Sequence, residues 1–321
     1  MISSGYQFDQ EILERYHLSI EEIKSSKGER RVYLVKDLND HSLKILKINL
    51  AFPKKLEREC NFLNTASSFS FNYLKTPKVF AYEHGMILME HLNMVAYTRD
   101  TILEKNWDEN QIFIWHNAIA EFQSIPQQSK SFNFYEKIKG AFYPVIRSME
   151  ISKQLFKTLT LAETAHLLIL LLQYIIARLF IKNVTTHYDL NTFNFTNLKG
   201  TNKMSLIDFE MGAYKGDSYY DVLYYLSMPV SELPDWTFQK KILSGWIKMD
   251  PTKNRFLNIR LRALLCIISF QRIKRFKAEP LLAVPYRENL KLLLSKGAFT
   301  NWFHLLPKSQ NEIQAIKIQG E

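Results

Sequence analysis

One short stretch of the sequence constrains this chain more than any other. Residues 187–194 read HYDLNTFN, and residues 208–210 read DFE. Between them, two short apolar runs flank the turn-forming residues Gly200, Thr201 and Asn202, a pattern that predicts a β-hairpin. A hairpin returns the chain to the place where it started. We therefore expect the oxygen-bearing side chains of Asp189, Asn194 and Asp208 to lie close together.

The pattern H-x-D-L-x-x-x-N followed by D-F is typical of phosphoryl transfer. That reaction needs an acceptor hydroxyl held in line and neutralisation of the charge on the γ-phosphate. Asp189 would accept or orient the hydroxyl proton, and His187 is a second candidate catalytic residue. Asn194 and Asp208 would bind Mg²⁺, which prefers oxygen ligands. In the alternative interpretation Asp189 forms a turn, Asn194 is a loop amide and Asp208 caps a strand.

A lysine–glutamate pair is expected to accompany these residues in the N-terminal part. Lys44 and Lys47 lie on one predicted strand and face opposite sides, because side chains alternate along a strand. Lys47 ends the run KILK, which resembles the V-A-I-K pattern. On the next predicted helix, Glu59 borders an apolar stripe and requires a partner, so we predict a Lys47–Glu59 pair. Alternatively, both side chains are solvated.

A segment that covers phosphates is expected between the first two strands. Residues 25–29 read SSKGE and contain a single glycine. Ser26 and Gly28 are the candidate nucleotide-binding residues there, since hydroxyl and backbone N–H groups bind phosphate. A plain surface turn is an equally good interpretation.

The order of the predicted elements indicates an α+β fold with two lobes. The first ninety residues contain strand patterns and one helix, from Pro53 to about Ala66; from about Leu92 onward the apolar periodicity is helical. We predict a small β-rich N-terminal lobe that binds nucleotide, residues 1–91, and a larger mainly helical lobe that is catalytic and binds the acceptor, residues 92–321. The predicted strands are Arg31–Lys36, Leu43–Ile48, Pro77–Tyr82 and Met86–Glu90.

These motifs resemble those of the aminoglycoside phosphotransferase and choline/ethanolamine kinase group, which belongs to the protein-kinase-like superfamily. Besides HYDLNTFN and IDFE, the likeness includes ECNFL at 59–63, ILME at 87–90 and GDSYYD at 216–221. It spans roughly residues 20 to 250. Two departures from protein kinases argue against a protein substrate: Tyr188 replaces an arginine, and no A-P-E motif follows Glu210.

The resemblance implies a bilobal kinase-like fold and an enzyme that uses ATP and Mg²⁺. It further implies that Met89–Leu92 forms a hinge for adenine, with Glu90 and Leu92 as binding residues. Glu210 would help to hold a second metal ion, and Asp221 would steady the catalytic loop. The acceptor would be a hydroxyl of a small molecule or a glycan.

Charge narrows the class of acceptor. The formal net charge is +10, and residues 255–277 contain seven basic residues and no acidic one. Such a surface favours a neutral or anionic acceptor over a cationic one. Five basic side chains are candidates to line or rim the acceptor site, although most are expected on a solvated helix face: Arg260, Arg262, Arg272, Arg275 and Lys277.

The remaining expectations concern location and partners. The apolar segment Leu167–Ile181 contains Gln173 and Arg178, and we interpret it as a buried helix rather than a membrane span. The two cysteines and the absence of a signal-like start predict a cytoplasmic protein, or one peripheral at an anionic membrane surface. Nucleic acid is not an expected partner. Two alternatives to an active kinase remain: an inactive nucleotide-binding protein, and a basic adaptor for membrane or nucleic acid.

Overall fold

A computed structural model describes residues 4–95, 108–126, 159–211, 214–227, 236–250, 255–278 and 280–295. The chain divides into two compact units. The first comprises Met1–Val95 and Asn194–Ala213, and the second comprises Ala96–Phe193 and Tyr214–Glu321. The predicted assignment of nucleotide binding to residues 1–91 and of acceptor binding to residues 92–321 stays a prediction.

The first unit is built on an antiparallel five-stranded sheet of order β1-β2-β3-β6-β5. A smaller sheet of order β4-β9-β8 contains one parallel pair, β4 with β9, and one antiparallel pair, β8 with β9. The strands are β1 Leu18–Lys27, β2 Arg30–Asp37, β3 Leu43–Asn49, β4 Leu74–Lys75, β5 Val79–Glu83, β6 Met86–Glu90, β8 Phe195–Asn197 and β9 Met204–Leu206.

Side-chain alternation gives the large sheet two different faces. Along β2, the residues from Arg31 to Asp37 at odd numbers are buried, while those at even numbers are partly exposed. The buried face packs under helix α1, Ser4–Arg15, through a core of Ile12, Leu18, Tyr33, Val35, Leu46, Ile48, Met86 and Leu88. The opposite face therefore remains for the site.

The prediction of a single helix in the first ninety residues was wrong, because helix α1 is also present. Its sequence is largely polar, and its attachment comes from tertiary contacts that a local pattern does not reveal. The Arg31 guanidinium and the Tyr33 hydroxyl both donate to the buried Asp9 carboxylate, at 2.7 and 2.6 Å. The predicted helix is also present as α2, Pro53–Ser67, with proline in its first turn.

The second unit is mainly helical, so the predicted α+β class is confirmed. Strand β7 pairs antiparallel with β10, and the glycine of β10 lets them approach: a Cβ on Gly216 would lie 2.3 Å from the Thr186 Oγ1. The described elements are α3 Glu109–Ser124, α4 Leu161–Leu179, β7 Val184–Thr186, β10 Tyr214–Gly216, α5 Tyr220–Leu226, α6 Trp236–Met249, α7 Leu257–Arg275 and α8 Pro280–Leu294.

Helix α4 is not buried all round, and that prediction was wrong. One face is buried, and the other exposes Leu161, Leu168, Ile169, Leu172 and Ile176. By length and composition alone α4 could cross a membrane, which for one helix is weak evidence. Arg178 is fully buried, and its Nη1 lies 3.8 Å from the Asp217 carboxylate.

Candidate active site

The first unit places Lys47 and Glu59 in contact. Lys47 lies on the site face of β3, and its Nζ is 2.9 and 3.1 Å from the two carboxylate oxygens of Glu59 on α2. The same Nζ lies 3.0 Å from the Asp208 Oδ1. Lys44 points to the opposite face, where it pairs with Asp37. Strand alternation thus separates the two lysines, and Lys47, which the KILK pattern favoured, is the one that contacts Glu59.

This cluster keeps Lys47 charged. Burial alone would lower the pKa of Lys47, but the carboxylates of Asp208, Glu59 and Glu210 outweigh it and raise that pKa. For Glu59, burial raises the pKa and the Lys47 ammonium opposes that rise. Lys47 is thus a fixed positive charge among three acids.

The predicted hairpin is present and brings the chain at Asn194 beside the chain at Asp208. Strands β8 and β9 pair antiparallel around Gly200, whose φ is 73°. At its open end the Ile207 N–H donates to the Asn194 carbonyl at 3.0 Å. Asp208 itself has φ 66°, a left-handed conformation that aspartate tolerates better than most residues. The local fold thus fixes Asp208 next to the base of the hairpin.

Packing against α2 holds the segment after Asp208. The Phe209 ring lies 4.4 Å from the Phe62 ring, centroid to centroid, and the Phe209 N–H donates to the Glu59 Oε1 at 3.2 Å. Glu210 follows in a single 3₁₀ turn, Phe209–Met211. The sequence DFE therefore places its two acids on the site face while its aromatic ring is buried.

The acids of this cluster suit a divalent cation. One carboxylate oxygen each from Glu59, Asp208 and Glu210 lie within 4.8 Å of one another. Carboxylate oxygens are the ligands that Mg²⁺ prefers. Asp208 and Glu210 also have a cation partner, but Glu59 is fully buried and both of its carboxylate oxygens contact Lys47, so the two acids of the DFE segment fit an ion best. The donor set present in the chain is therefore compatible with magnesium.

The expected phosphate-covering segment is shorter than predicted. Strand β1 continues through Lys27, and Ser26 pairs with Arg31, so only Gly28 and Glu29 form the turn. The φ of Gly28 is 59°. A type II′ hairpin turn requires a positive φ at the first of its two central residues only, and glycine adopts that conformation readily. Phosphate binding by Ser26 and Gly28 stays a prediction.

The predicted hinge lies at the end of β6. The Glu90 carboxylate is 2.9 Å from the Lys75 Nζ and accepts from the Lys78 N–H at 3.1 Å. Leu92 is buried. Since the Glu90 side chain is occupied by these contacts, any contact with adenine would involve the backbone. Adenine binding by Glu90 and Leu92 stays a prediction.

In the second unit, the loop after β7 presents the Asp189 carboxylate, which is 37% exposed. The Tyr224 hydroxyl donates to the Asp189 Oδ1 at 3.0 Å, and the Asn191 side chain donates to the Asp189 carbonyl at 3.2 Å. Asp189 is thus oriented by its neighbours and accessible to an acceptor. The predicted approach of Asp189 to Asp208, which belongs to the other unit, stays a prediction.

The predicted support by Asp221 is present. Its buried carboxylate accepts from the backbone N–H groups of His187 and Tyr188, at 2.8 and 3.0 Å. Tyr188 has φ 65°, which a bulky side chain rarely adopts, so the loop depends on this anchor. Burial raises the pKa of Asp221 to about 7, against the effect of the two amides. The buried His187 ring lies 6.3 Å from the Phe122 ring; its catalytic role stays a prediction.

Most of the basic candidates on α7 have structural partners. Arg260 is fully buried and paired with Asp217 and Asp250, at 2.6 and 3.1 Å. Arg272 is buried over the Tyr224 ring. Arg262 donates to the Leu293 carbonyl at 2.9 Å. Arg275 differs: it is half-exposed, and its Nη1 lies 4.0 Å from the Asp189 Oδ1. Lys277 is exposed.

The family model described as "Phosphotransferase enzyme family" matches residues 20–252, more than two thirds of the chain. The chain belongs to this family. The resemblance drawn from the motifs is thereby confirmed, and with it the enzyme class, a kinase. A comparison with curated protein sequences gave no match.

Solved structures show that this phosphotransferase has the kinase-like fold. The APH(2″)-IIa enzyme in its streptomycin–ATP ternary complex has a TM-score of 0.61 at 13% identity, over 96% of this chain and all of that one. An ethanolamine kinase of Plasmodium vivax has a TM-score of 0.51 at 13% identity, over 100% and 90%. A macrolide 2′-phosphotransferase of Brachybacterium faecium has a TM-score of 0.53 at 12% identity, over 89% and 97%.

Sequence reasoning missed two residues that contact the predicted site residues. Tyr224, which bonds Asp189, lies one helical turn after Asp221 on α5, and helical spacing was a signal for it. Arg30, whose Nη2 lies 2.8 Å from the Glu210 Oε1, is on the same face of β2 as Val32, the strand partner of Lys47. Strand alternation could have found Arg30.

Proposed function

We propose that this phosphotransferase transfers the γ-phosphoryl group of ATP, with Mg²⁺, to a hydroxyl of a small-molecule or glycan-type acceptor that is neutral or anionic. One observation carries the proposal: a buried lysine is bonded to both a helix glutamate and the aspartate of the DFE segment. A cation and acids in that arrangement suit a nucleotide phosphate chain with its metal.

On the nucleotide side, Lys47 would contact phosphate oxygens, with Glu59 fixing its position. Asp208 and Glu210, with Asn194 at the base of the hairpin, would hold Mg²⁺. The ion, when bound, supplies positive charge to the phosphate oxygens. The structure of APH(2″)-IIa contains ATP with streptomycin, which supports ATP as the donor.

On the acceptor side, Asp189 would take the proton of the attacking hydroxyl. The acceptor oxygen forms a bond to the γ-phosphorus as the bond to the β,γ-bridging oxygen breaks, and ADP leaves. The carboxylate is suited to this role because it is exposed and oriented by Tyr224. Asp221 acts through the backbone and is a positioning residue.

The acceptor class follows from Arg275. Its guanidinium lies 4.0 Å from the Asp189 Oδ1, so a cation bound beside Asp189 would meet a positive charge already there. Among the solved structures with similar folds, APH(2″)-IIa contains bound streptomycin, and the other two are named as an ethanolamine kinase and a macrolide 2′-phosphotransferase. We expect this chain to prefer acceptors without a positive charge near the reacting hydroxyl.

An ADP-production screen tests the proposal. Panels of neutral sugars, sugar phosphates, glycan fragments, amino alcohols and aminoglycosides are supplied with ATP and Mg²⁺. Asp189→Asn and Asp208→Asn should abolish turnover in folded protein. Unchanged turnover and metal dependence in Asp208→Asn would overturn the proposal. Nucleotide binding without turnover on any acceptor would instead support an inactive nucleotide-binding protein.

The role of Arg275 is tested on matched acceptors. With a sugar and its phosphate as a pair, Arg275→Ala should reduce kcat/KM for the phosphate more than for the sugar. Lys277→Ala removes a nearby exposed charge and is the control. Equal losses on both acceptors would refute selection by Arg275.

The proposed location is the cytoplasm, with attachment to an anionic membrane surface as the alternative. Vesicle co-sedimentation at low and high salt distinguishes them, since attraction of basic residues to anionic lipid weakens with salt. Salt-sensitive binding that persists in Asp189→Ala would support the adaptor interpretation.

A further inference from the structure

Arg30 occupies a place that the phosphoryl-transfer motifs do not assign. It is the first residue of β2, directly after the Gly28–Glu29 turn. Its Nη2 lies 2.8 Å from the Glu210 Oε1 and 4.0 Å from the Asp208 Oδ1. We propose that Arg30 neutralises these two acids in the free enzyme and moves to the phosphates when the metal–nucleotide complex binds. This inference rests on the proposed use of ATP and Mg²⁺.

The charges of the cluster give the first reason. Three carboxylates, of Glu59, Asp208 and Glu210, have oxygens within 4.8 Å of one another. Lys47 contacts Glu59 and Asp208, whereas the contact of Glu210 is with Arg30. The Glu210 side chain is only 8% exposed, and an ionised carboxylate with little water needs a cation. Arg30 therefore supplies the charge that an ion would supply to Glu210.

The Arg30 guanidinium also has a hydrogen-bond donor that is not in use. Its Nε is buried and has no hydrogen-bond partner among the residues that the structure describes. The side chain as a whole is 43% exposed, so a ligand can reach it from solvent. Arginine offers five donors in a planar fork that matches phosphate oxygens, and it can bind a phosphate while remaining near a carboxylate. A group with a buried spare donor and an exposed edge is suited to an anionic ligand.

The short turn gives a third reason. Kinases cover the nucleotide phosphates with a glycine-rich loop whose flexible backbone approaches closely. Here the corresponding connection is a two-residue turn, Gly28–Glu29, between paired Lys27 and Arg30. A turn of this length has few free N–H groups. A side chain directly after the turn can replace the missing N–H donors. Arg30 holds that position, on the face of the sheet that carries Lys47.

A structural role is the competing explanation. A partly exposed ion pair contributes about 0–1 kcal/mol and would leave ligand binding unchanged. The proposed role, unlike a structural one, predicts changes of opposite sign in the binding of two ligands. If Arg30 holds the place of the metal, its removal frees the acids and strengthens the binding of a divalent ion alone. If Arg30 also binds phosphate, the same removal weakens the binding of the metal–nucleotide complex.

The experiment measures binding and needs no turnover. Titration calorimetry with a non-hydrolysable ATP analogue and Mg²⁺ gives the nucleotide Kd; Mn²⁺ titration followed by electron paramagnetic resonance gives the metal Kd without nucleotide. Arg30→Met keeps the aliphatic stem. Arg15→Met is the control, because it removes another arginine of the same unit, one paired with Glu83 at 2.7 Å.

We expect Arg30→Met to raise the nucleotide Kd by about tenfold to a hundredfold, the range for a hydrogen bond to a charged group. The Mn²⁺ Kd should fall several-fold, Arg30→Lys should be intermediate in both, and Arg15→Met should match the wild type. A nucleotide Kd or an Mn²⁺ Kd that does not change in Arg30→Met refutes the inference. If the wild type binds no nucleotide, the proposed function itself is wrong.

Discussion

The substitution Asp221→Asn isolates the support of the loop that carries Asp189. The two carboxylate oxygens accept from the N–H groups of His187 and Tyr188, at 2.8 and 3.0 Å. Asparagine has the same shape but only one oxygen, so its NH₂ group would face a second N–H donor. Tyr188, at φ 65°, would then lose part of the anchor that holds its left-handed backbone.

The magnitude follows from one buried N–H left without a partner, which costs about 1–3 kcal/mol. We expect the free energy of unfolding to fall by that amount. If the displaced loop raises the activation free energy of turnover by the same amount, because Asp189 is no longer held in position, kcat falls by roughly fivefold to more than a hundredfold. KM for ATP should change little, since Lys47 and Asp208 belong to the other unit.

The pH dependence gives a second test with a definite sign. Burial raises the pKa of Asp221 to about 7, and the negative charge of Asp189 adds to that rise. A folded-state pKa above the unfolded value means that Asp221 contributes stability below about pH 4, which is lost as the pH rises through 7. Turnover should instead rise as the pH rises through 7, because the ionised Asp221 carboxylate accepts the hydrogen bonds of the two backbone N–H groups better than the neutral acid does. Asp221→Asn should remove both trends.

The assay is ADP production over pH 5–8, with thermal unfolding measured on the same samples. Asp250→Asn is the matched control: Asp250 is a buried aspartate of the same unit that pairs with Arg260 and accepts from Ser218. It should destabilise the protein and leave kcat nearly unchanged. Full turnover in folded Asp221→Asn would refute the positioning role.

Three further predictions concern other contacts. Lys47→Met should weaken nucleotide binding in calorimetry and destabilise the protein by about 3–5 kcal/mol, because the buried Glu59 loses its cation. The double variant Lys47→Met, Glu59→Gln should recover stability but not nucleotide binding. Recovery of nucleotide binding would contradict the role of Lys47 as a phosphate ligand. Arg260→Met should cost about 3–5 kcal/mol by denaturant unfolding and spare the KM for ATP, since it removes the cation that pairs with Asp250 and the nearer of the two cations at Asp217. Gly216→Ala should cost about 1–3 kcal/mol through its clash with Thr186, and additional Thr186→Ala should relieve part of it; purely additive losses would exclude the clash.

Local patterns in the sequence were sufficient for the parts of the site that depend on neighbouring residues. Period-two alternation on β3 placed Lys44 and Lys47 on opposite faces, and the KILK pattern favoured Lys47. Helical periodicity on α2 placed Glu59 next to the buried stripe. The turn at Gly200 predicted the hairpin between Asn194 and Asp208. In each case one regular element determines the direction of the side chain.

Local patterns failed where a side chain depends on a distant partner. Helix α1 is largely polar in sequence, and its attachment combines the core residue Ile12 with the buried Asp9, which bonds Arg31 and Tyr33 on β2. The exposed face of α4 was missed because apolar composition on all sides predicts burial, whereas burial requires a neighbouring element. The length of the β1–β2 connection was missed because serine and lysine continue a strand as readily as they form a loop.

The basic residues of α7 show why charge counted along a sequence is a poor guide to a binding site. Arg260 and Arg272 contribute to the net charge, yet both are fully buried, and Arg260 is neutralised by Asp217 and Asp250. In the proposed function, the residue that bears on the choice of acceptor is Arg275, whose Nη1 lies 4.0 Å from the Asp189 Oδ1. A charge on the acceptor held about 4 Å from the Arg275 guanidinium would interact with it by about 1 kcal/mol in water and about 4 kcal/mol near a protein surface. In the proposed function, one arginine at that position would therefore favour an anionic acceptor over a cationic one.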